Sequence, residues 1–175
     1  VASSPSPTMR MPSQLIPLDT PPGARPPDPV GPFAWQQAPW GWVLTCPPLA
    51  PLGRHGFTIR DLDPGRGAAA DAAWTAVAAW LDVPPASLWR LDQLHGCRAV
   101  RVDAAAPPAG DTLPPADAAL TTRTDVAVAV KAADCVPILM AHPGGAGAAV
   151  HAGWRGTAQR IAGAAAKDLA VAAGG

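Results

Sequence analysis

Three short apolar runs, Val126 to Ala132, Val136 to Ala141 and Ala148 to His151, follow one another closely, and Gly144-Gly145 turns the chain between the second and the third. Runs of small and β-branched residues bounded by turn residues predict buried, neighbouring strands. After Gly156 the pattern changes. Ile161, Ala165 and Leu169 fall on one side of a helix, with Thr157 as its expected cap and Gly174 as its expected terminator. The chain therefore has to pass from a strand end at His151, through the turn of His-Ala-Gly-Trp-Arg-Gly, into a helix.

Upstream, Gly41 to Thr45 and His55 to Ile59 read as short strands separated by a loop that holds Pro47, Pro48 and Pro51. A helix is expected from Asp71 as N-cap, with Trp74, Val77, Ala78 and Leu81 on one face, ended by Pro84 and Pro85. Arg98 to Val102 alternates as a strand, Asp117 to Thr121 reads as a weaker one, and Pro107, Pro108, Gly110, Pro114 and Pro115 mark a surface loop between them. Trp35, Trp40 and Trp42 are expected to pack in a core or on a sheet face. Ten of the 23 prolines lie between Pro5 and Pro32, where no apolar periodicity is sustained. Residues 1–32 are thus read as a flexible Pro-rich arm and 33–175 as one globular domain, without an internal repeat.

The 49% hydrophobic content of 175 residues suffices for a sizeable core. Thirteen basic residues balance thirteen acidic ones, so no general field draws in nucleic acid or an anionic membrane. No segment approaches the ~20 apolar residues of a membrane span, and Val-Ala-Ser-Ser-Pro-Ser-Pro is no secretory signal. Three cysteines, Cys46, Cys97 and Cys135, are an odd number without framework spacing, which fits a reducing cytoplasm. A start at Val1 and a stop at Gly174-Gly175 suggest a fragment. The oligomeric state is not legible.

His95, Cys135 and His151 each stand where an apolar run breaks, so each is expected to project from a strand end into a shared cleft. Two imidazoles and a thiol leave a tetrahedral zinc one open position, the arrangement of a catalytic centre. Gln93 and Asp134 are placed to orient an imidazole or a metal-bound water, and with Arg60 and Arg155 they are the candidate substrate contacts. Gly153 and Gly156 allow a sharp turn and close approach to a ligand, and Arg155 between them offers a donor fork to phosphate or carboxylate. His55 is expected to line the pocket, His142 to sit exposed in a turn, Cys97 to pack and Cys46 to fill a small core position. Other readings of the same residues stay open: a buried cysteine with two hydrogen-bonded histidines, a metal-free Cys-His hydrolase with Cys135 as nucleophile and His151 as base, or a non-catalytic metal-binding remnant.

Gln93-Leu94-His95-Gly96, Ala133-Asp134-Cys135-Val136-Pro137 and His151-Ala152-Gly153-Trp154-Arg155-Gly156-Thr157 resemble, in order, the signature segments of the laccase-domain purine nucleoside phosphorylases, formerly called polyphenol oxidases. Gly56-Phe57-Thr58-Ile59-Arg60 resembles a further upstream segment with one replacement. The resemblance spans roughly residues 33 to 172 and implies an α+β fold of mixed sheets flanked by helices. It implies zinc held by His95, Cys135 and His151, with copper ranked lower because one isolated three-ligand centre is not a multicopper cluster. It also implies phosphorolysis of adenosine, inosine, guanosine and methylthioadenosine, with deamination of adenosine. A zinc-activated water attacking purine C6 would account for the deamination. Phosphate held by Arg60 or Arg155 for attack at ribose C1′ would account for the phosphorolysis. Two departures stand out: the helix reads Asp71-Ala72-Ala73-Trp74-Thr75 where the family carries an Asn-Arg pair, and family members continue past Gly175 with strands and pocket wall.

Overall fold

A computed structural model describes residues 21, 23–62, 64–65, 68–102, 104 and 113–175. Most of the Pro-rich arm and the loop residues Pro107, Pro108 and Gly110 lie outside the described residues. Residues 23–28 lie against the first sheet, where Trp35 Nε1 donates to the Pro27 carbonyl at 2.8 Å and Trp42 Nε1 to that of Gly23 at 3.3 Å.

The sheet that positions the candidate ligands has four strands in the order β5 (Ala99–Arg101), β6 (Ala118–Thr121), β9 (Ala146–Ala152), β8 (Val136–His142). The β5–β6 pair is parallel and the other two pairs are antiparallel. Strands β8 and β9 form a hairpin joined by three residues, with His142 opposite Ala146. Gly145 takes φ +85°, the left-handed position such a three-residue connection requires. Period-two alternation then sorts the side chains. Ala118, Leu120, Ala148, Val150 and Ala152 face helix α3 (Ile161–Ala172), whose Ile161, Ala165 and Leu169 are buried against them. On the opposite face, Ala119 packs beneath Trp89, Leu91 and Val126. Thr157 does not start the helix: α2 (Trp154–Ala158) begins directly after Gly153, and Arg160 in the left-handed region at φ 62° separates it from α3.

Trp89 belongs to β4 (Leu88–Trp89), which pairs in parallel with β7 (Ala127–Val128) as a second small layer. The run from Val126 is therefore not a neighbour of β8 as its sequence position suggested. It reaches back to a strand before His95, and only two of its residues hold strand geometry. The third sheet is antiparallel, β1 (Ala34–Ala38), β2 (Gly41–Thr45) and β3 (Phe57–Thr58). Strand β1 was not expected, and the proline loop after β2 forms a 3-10 helix, Pro47–Leu52.

Helix α1 (Ala68–Leu81) begins before Asp71, which sits in the first turn with its carboxylate 4.0 Å from Arg90 Nη1 instead of capping. Val77 and Ala78 are buried with Leu88, and Trp74 and Leu81 pack at their edge, as the spacing predicted. The helix ends on Asp82 at φ 64°, with the Val83 N–H donating to the Ala78 carbonyl at 3.0 Å, so a left-handed residue and a six-to-one bond stop it ahead of Pro84. Among the described residues, no helix is long and apolar enough to cross a membrane.

Candidate metal centre

Alternation along β9 decides where His151 points. With Val150 and Ala152 turned to α3, Gly147, Ala149 and His151 face the other way, opposite Ala141, Leu139 and Pro137 of β8. His151 is buried, at 3% exposure, so its ring needs polar partners. Its Nδ1 lies 2.8 Å from Asp117 Oδ1. A carboxylate only accepts, so Nδ1 is the donor in this pair, and Nε2 is the ring nitrogen left to face a metal.

Asp117 stands at the head of β6 with 1% exposure. Besides His151 it accepts the His95 N–H at 2.9 Å through Oδ1 and the Gly96 N–H at 2.7 Å through Oδ2. Burial alone would push its carboxyl up, but the His151 ring and the Gly96 and His95 amides outweigh burial and hold it below the ordinary 3.8. The same two amide bonds fix His95 in the left-handed region, φ 61°, a conformation that costs a non-glycine residue about 1 kcal/mol or more. The His95 and His151 rings meet edge to face at 4.8 Å between centroids.

Cys135 immediately precedes β8, and the pairing of Pro137 with His151 delivers it to the same corner. The ligand atoms of His95, Cys135 and His151 all lie within 4.8 Å of one another. One ion with bonds of about 2.0–2.3 Å closes such a set with small side-chain adjustments. The backbone is shaped to the cluster. A Cβ on Gly153 would stand 3.2 Å from His95 Cδ2 and 3.3 Å from Cys135 Sγ, and one on Gly156 would stand 2.5 Å from the Gly96 carbonyl oxygen. These two glycines serve close approach and not a turn, since Gly153 has an ordinary φ of −71°.

The centre opens on a groove of roughly 1170 Å³ between α1, the His55–Arg60 segment and the β8–β9 face. Arg60, Gln93 and Asp134 line this groove with the three ligands. Arg155 does not. It is exposed on α2, its guanidinium 5.1 Å from the Trp154 ring centroid. Gln93 spends both ends of its amide on the Lys131 backbone, and Asp134 Oδ1 lies 4.0 Å from Cys135 Sγ. His55 lines the groove as expected, but its ring is committed: Nε2 accepts the Cys46 N–H and Nδ1 donates to the Gly53 carbonyl, both at 2.9 Å. Cys97 is exposed rather than packed, Cys46 is half-buried, and His142 is half-buried with Nδ1 accepting the Gly144 N–H at 3.0 Å.

Asp117 is the site residue that sequence reasoning missed. Its signal was a single acidic residue heading the otherwise apolar Asp-Ala-Ala-Leu strand, a position that is costly unless the carboxylate has donors.

Residues 57–174 match the family described as multi-copper polyphenol oxidoreductase laccase. A purine nucleoside phosphorylase of Streptomyces coelicolor is 40% identical over 133 residues, 75% of this chain and 51% of its own. One of Synechocystis is 34% identical, covering 70% and 47%. The crystal structure of YlmD from Geobacillus stearothermophilus superposes with a TM-score of 0.60 at 29% identity, covering 75% of this chain and 57% of that one. The chain spans about half the length of the curated relatives it matches. With the family match over most of its length, the chain belongs to the multi-copper polyphenol oxidoreductase laccase family.

Proposed function

We propose that the chain binds zinc through His95, Cys135 and His151 and acts in the phosphorolysis of purine nucleosides, namely adenosine, inosine, guanosine and methylthioadenosine, with deamination of adenosine in the same groove. The observation that carries this reading is the convergence of two imidazoles and a thiol on one groove-facing corner, with Asp117 behind His151. The relatives named purine nucleoside phosphorylases support the substrate class. Two nitrogen donors and one sulfur donor suit a tetrahedral zinc with one open position, and zinc when bound supplies Lewis acidity.

In phosphorolysis a phosphate oxygen bonds to ribose C1′ as the C1′–N9 bond breaks. The electron pair leaves with the base, which takes up a proton, and ribose 1-phosphate forms. In deamination, water adds at purine C6 and ammonia leaves. Arg60 is assigned to phosphate because it lines the groove, and Asp134 to the nucleoside because its carboxylate is exposed there beside Cys135. Gln93 is not assigned to substrate, since its amide is already paired. Arg60→Ala should raise KM for phosphate about tenfold or more, the value of a charge-assisted hydrogen bond. Arg155→Ala should leave the phosphate dependence unchanged. Steady-state kinetics at varied phosphate check both, and an unaltered Arg60→Ala would remove the assignment.

One observation favours a second reading. Asp117 orients His151 as the third group of a Cys-His-Asp nucleophile arrangement would, with Cys135 as nucleophile. Hydrolase activity that survives thorough chelation and disappears in Cys135→Ser would select it; loss of activity with the metal selects the first.

A further inference from the structure

The two imidazoles and the thiol are held by different devices. His151 and the His95 backbone both bond to Asp117, whereas Cys135 has no tie to that carboxylate. Cys135 lies on a stretch without regular structure. Strand β7 ends at Val128, the Ala129 N–H donates to the Trp89 carbonyl at 2.9 Å, and ladder pairing resumes only at Val136 opposite Ala152. Between Ala129 and Val136, the non-local hydrogen bonds recorded among the described residues all run to one side chain. The Lys131 N–H donates to Gln93 Oε1 at 2.7 Å, and Gln93 Nε2 donates to the Lys131 carbonyl at 2.7 Å.

A primary amide facing both polar groups of one residue reproduces the pairing of a β-ladder without a strand. Its root is firm. Leu91 is buried, the Asp92 N–H donates to the Pro114 carbonyl at 3.0 Å, and the Ala116 N–H donates to the Asp92 carbonyl at 3.1 Å. Two residues beyond Gln93 comes His95, whose own amide is fixed by Asp117. Gln93 therefore joins a rigid ligand segment to a segment with few other ties, across 38 residues of sequence.

We infer that Gln93 is a positioning residue of the metal centre: its amide clamps the Lys131 backbone and so sets the Cys135 thiol at the distance from His95 and His151 that one ion requires. The inference rests on the metal reading given above. Substitution of groups that orient ligands typically weakens metal affinity 10–100-fold, and a clamp four residues from its ligand belongs at the lower end.

The test is metal binding by the full chain, prepared metal-free and titrated with Zn²⁺ against a competing chelator, and with Co²⁺ to follow the thiolate-to-metal charge-transfer band. Gln93→Met, which keeps length and removes both hydrogen bonds, should bind Zn²⁺ about tenfold more weakly and show a diminished Co²⁺-thiolate band. Gln93→Glu can still accept the Lys131 N–H but cannot donate to its carbonyl, so it should fall in between; it carries the test if Gln93→Met does not fold. Lys131→Ala leaves the clamped backbone in place and should bind as the unsubstituted chain does. A folded Gln93→Met chain with unchanged affinity and an undiminished band would overturn the clamp while leaving the metal reading intact. Absence of metal uptake by the unsubstituted chain would overturn both.

Discussion

The two faces of the β8–β9 hairpin carry the same kinds of residue and meet different fates. Toward α3, Ile138, Met140, Ala148, Val150 and Ala152 are covered by Ile161, Ala165 and Leu169 in a continuous apolar layer. Toward the groove, Leu139 and Ala141 are half-buried, and the polar residue on that face, His151, is buried at the end of the strand against Asp117. The covered face is apolar from Ile138 to Met140 and from Ala148 to Ala152, with His142 at its edge bonded to the Gly144 N–H, and it serves stability. The open face turns the candidate ligands toward the groove, and it depends on a few hydrogen bonds instead of many contacts. Substitutions should therefore separate cleanly, one face changing the unfolding free energy and the other changing metal affinity.

The largest expected effect is on the covered face. Ile161→Ala should cost about 2–5 kcal/mol, since Ile161 is fully buried and the hairpin beneath it cannot collapse into the space. Chemical denaturation measures this, with metal affinity per folded chain unchanged; a parallel loss of affinity would break the separation. Gly156→Ala bridges the two faces. Its Cβ would meet the Gly96 carbonyl oxygen at 2.5 Å, so backbone must shift, costing about 1–3 kcal/mol and displacing the His95 loop. Both stability and metal affinity should fall.

Asp117→Asn sharpens the open-face half. An amide can still accept from His151 Nδ1, but its NH₂ group faces an amide N–H that has lost its acceptor. Zn²⁺ affinity is expected to drop about 10–100-fold in chelator competition. Affinity within twofold of the unsubstituted chain would contradict the role given to this carboxylate. The smallest effect belongs to Leu139→Ala, half-buried on the groove face, where stability should change by less than about 1 kcal/mol and metal affinity not at all.

What the sequence could reveal follows from how local each signal was. The β8–β9 hairpin, its Gly145 turn and the change from strand to helix after His151 were legible because period, turn residue and helix face all lie within one short stretch, although the helix starts at Trp154 and not at Thr157. The pairing of β7 with β4 was not, because parallel partners 39 residues apart leave no mark in either segment. Strand β1 was hidden by its Gln36-Gln37 pair, which breaks apolar alternation, although its hairpin register with β2 holds throughout. The three ligands were readable from residue type and from resemblance, but the expected strand end holds for Cys135 and His151 only; His95 sits in a bend between β4 and β5. Their supports were legible only in part: Asp117 read as a weak strand residue, and Gln93 as a substrate contact or a group orienting an imidazole or a metal-bound water and not as a clamp on the Lys131 backbone, since a carboxylate's or an amide's partners are chosen through space. Arg155 shows the converse, a residue adjacent in sequence to the site yet turned onto Trp154.

The most direct measurement of the central claim is the zinc content of the purified chain and of Cys135→Ser after dialysis against a moderate chelator. Three ligands closing on one ion predict close to one zinc per unsubstituted chain and little retained by Cys135→Ser, with both chains equally folded. A chain that holds no zinc, or a Cys135→Ser chain that holds as much as the unsubstituted one, would contradict it.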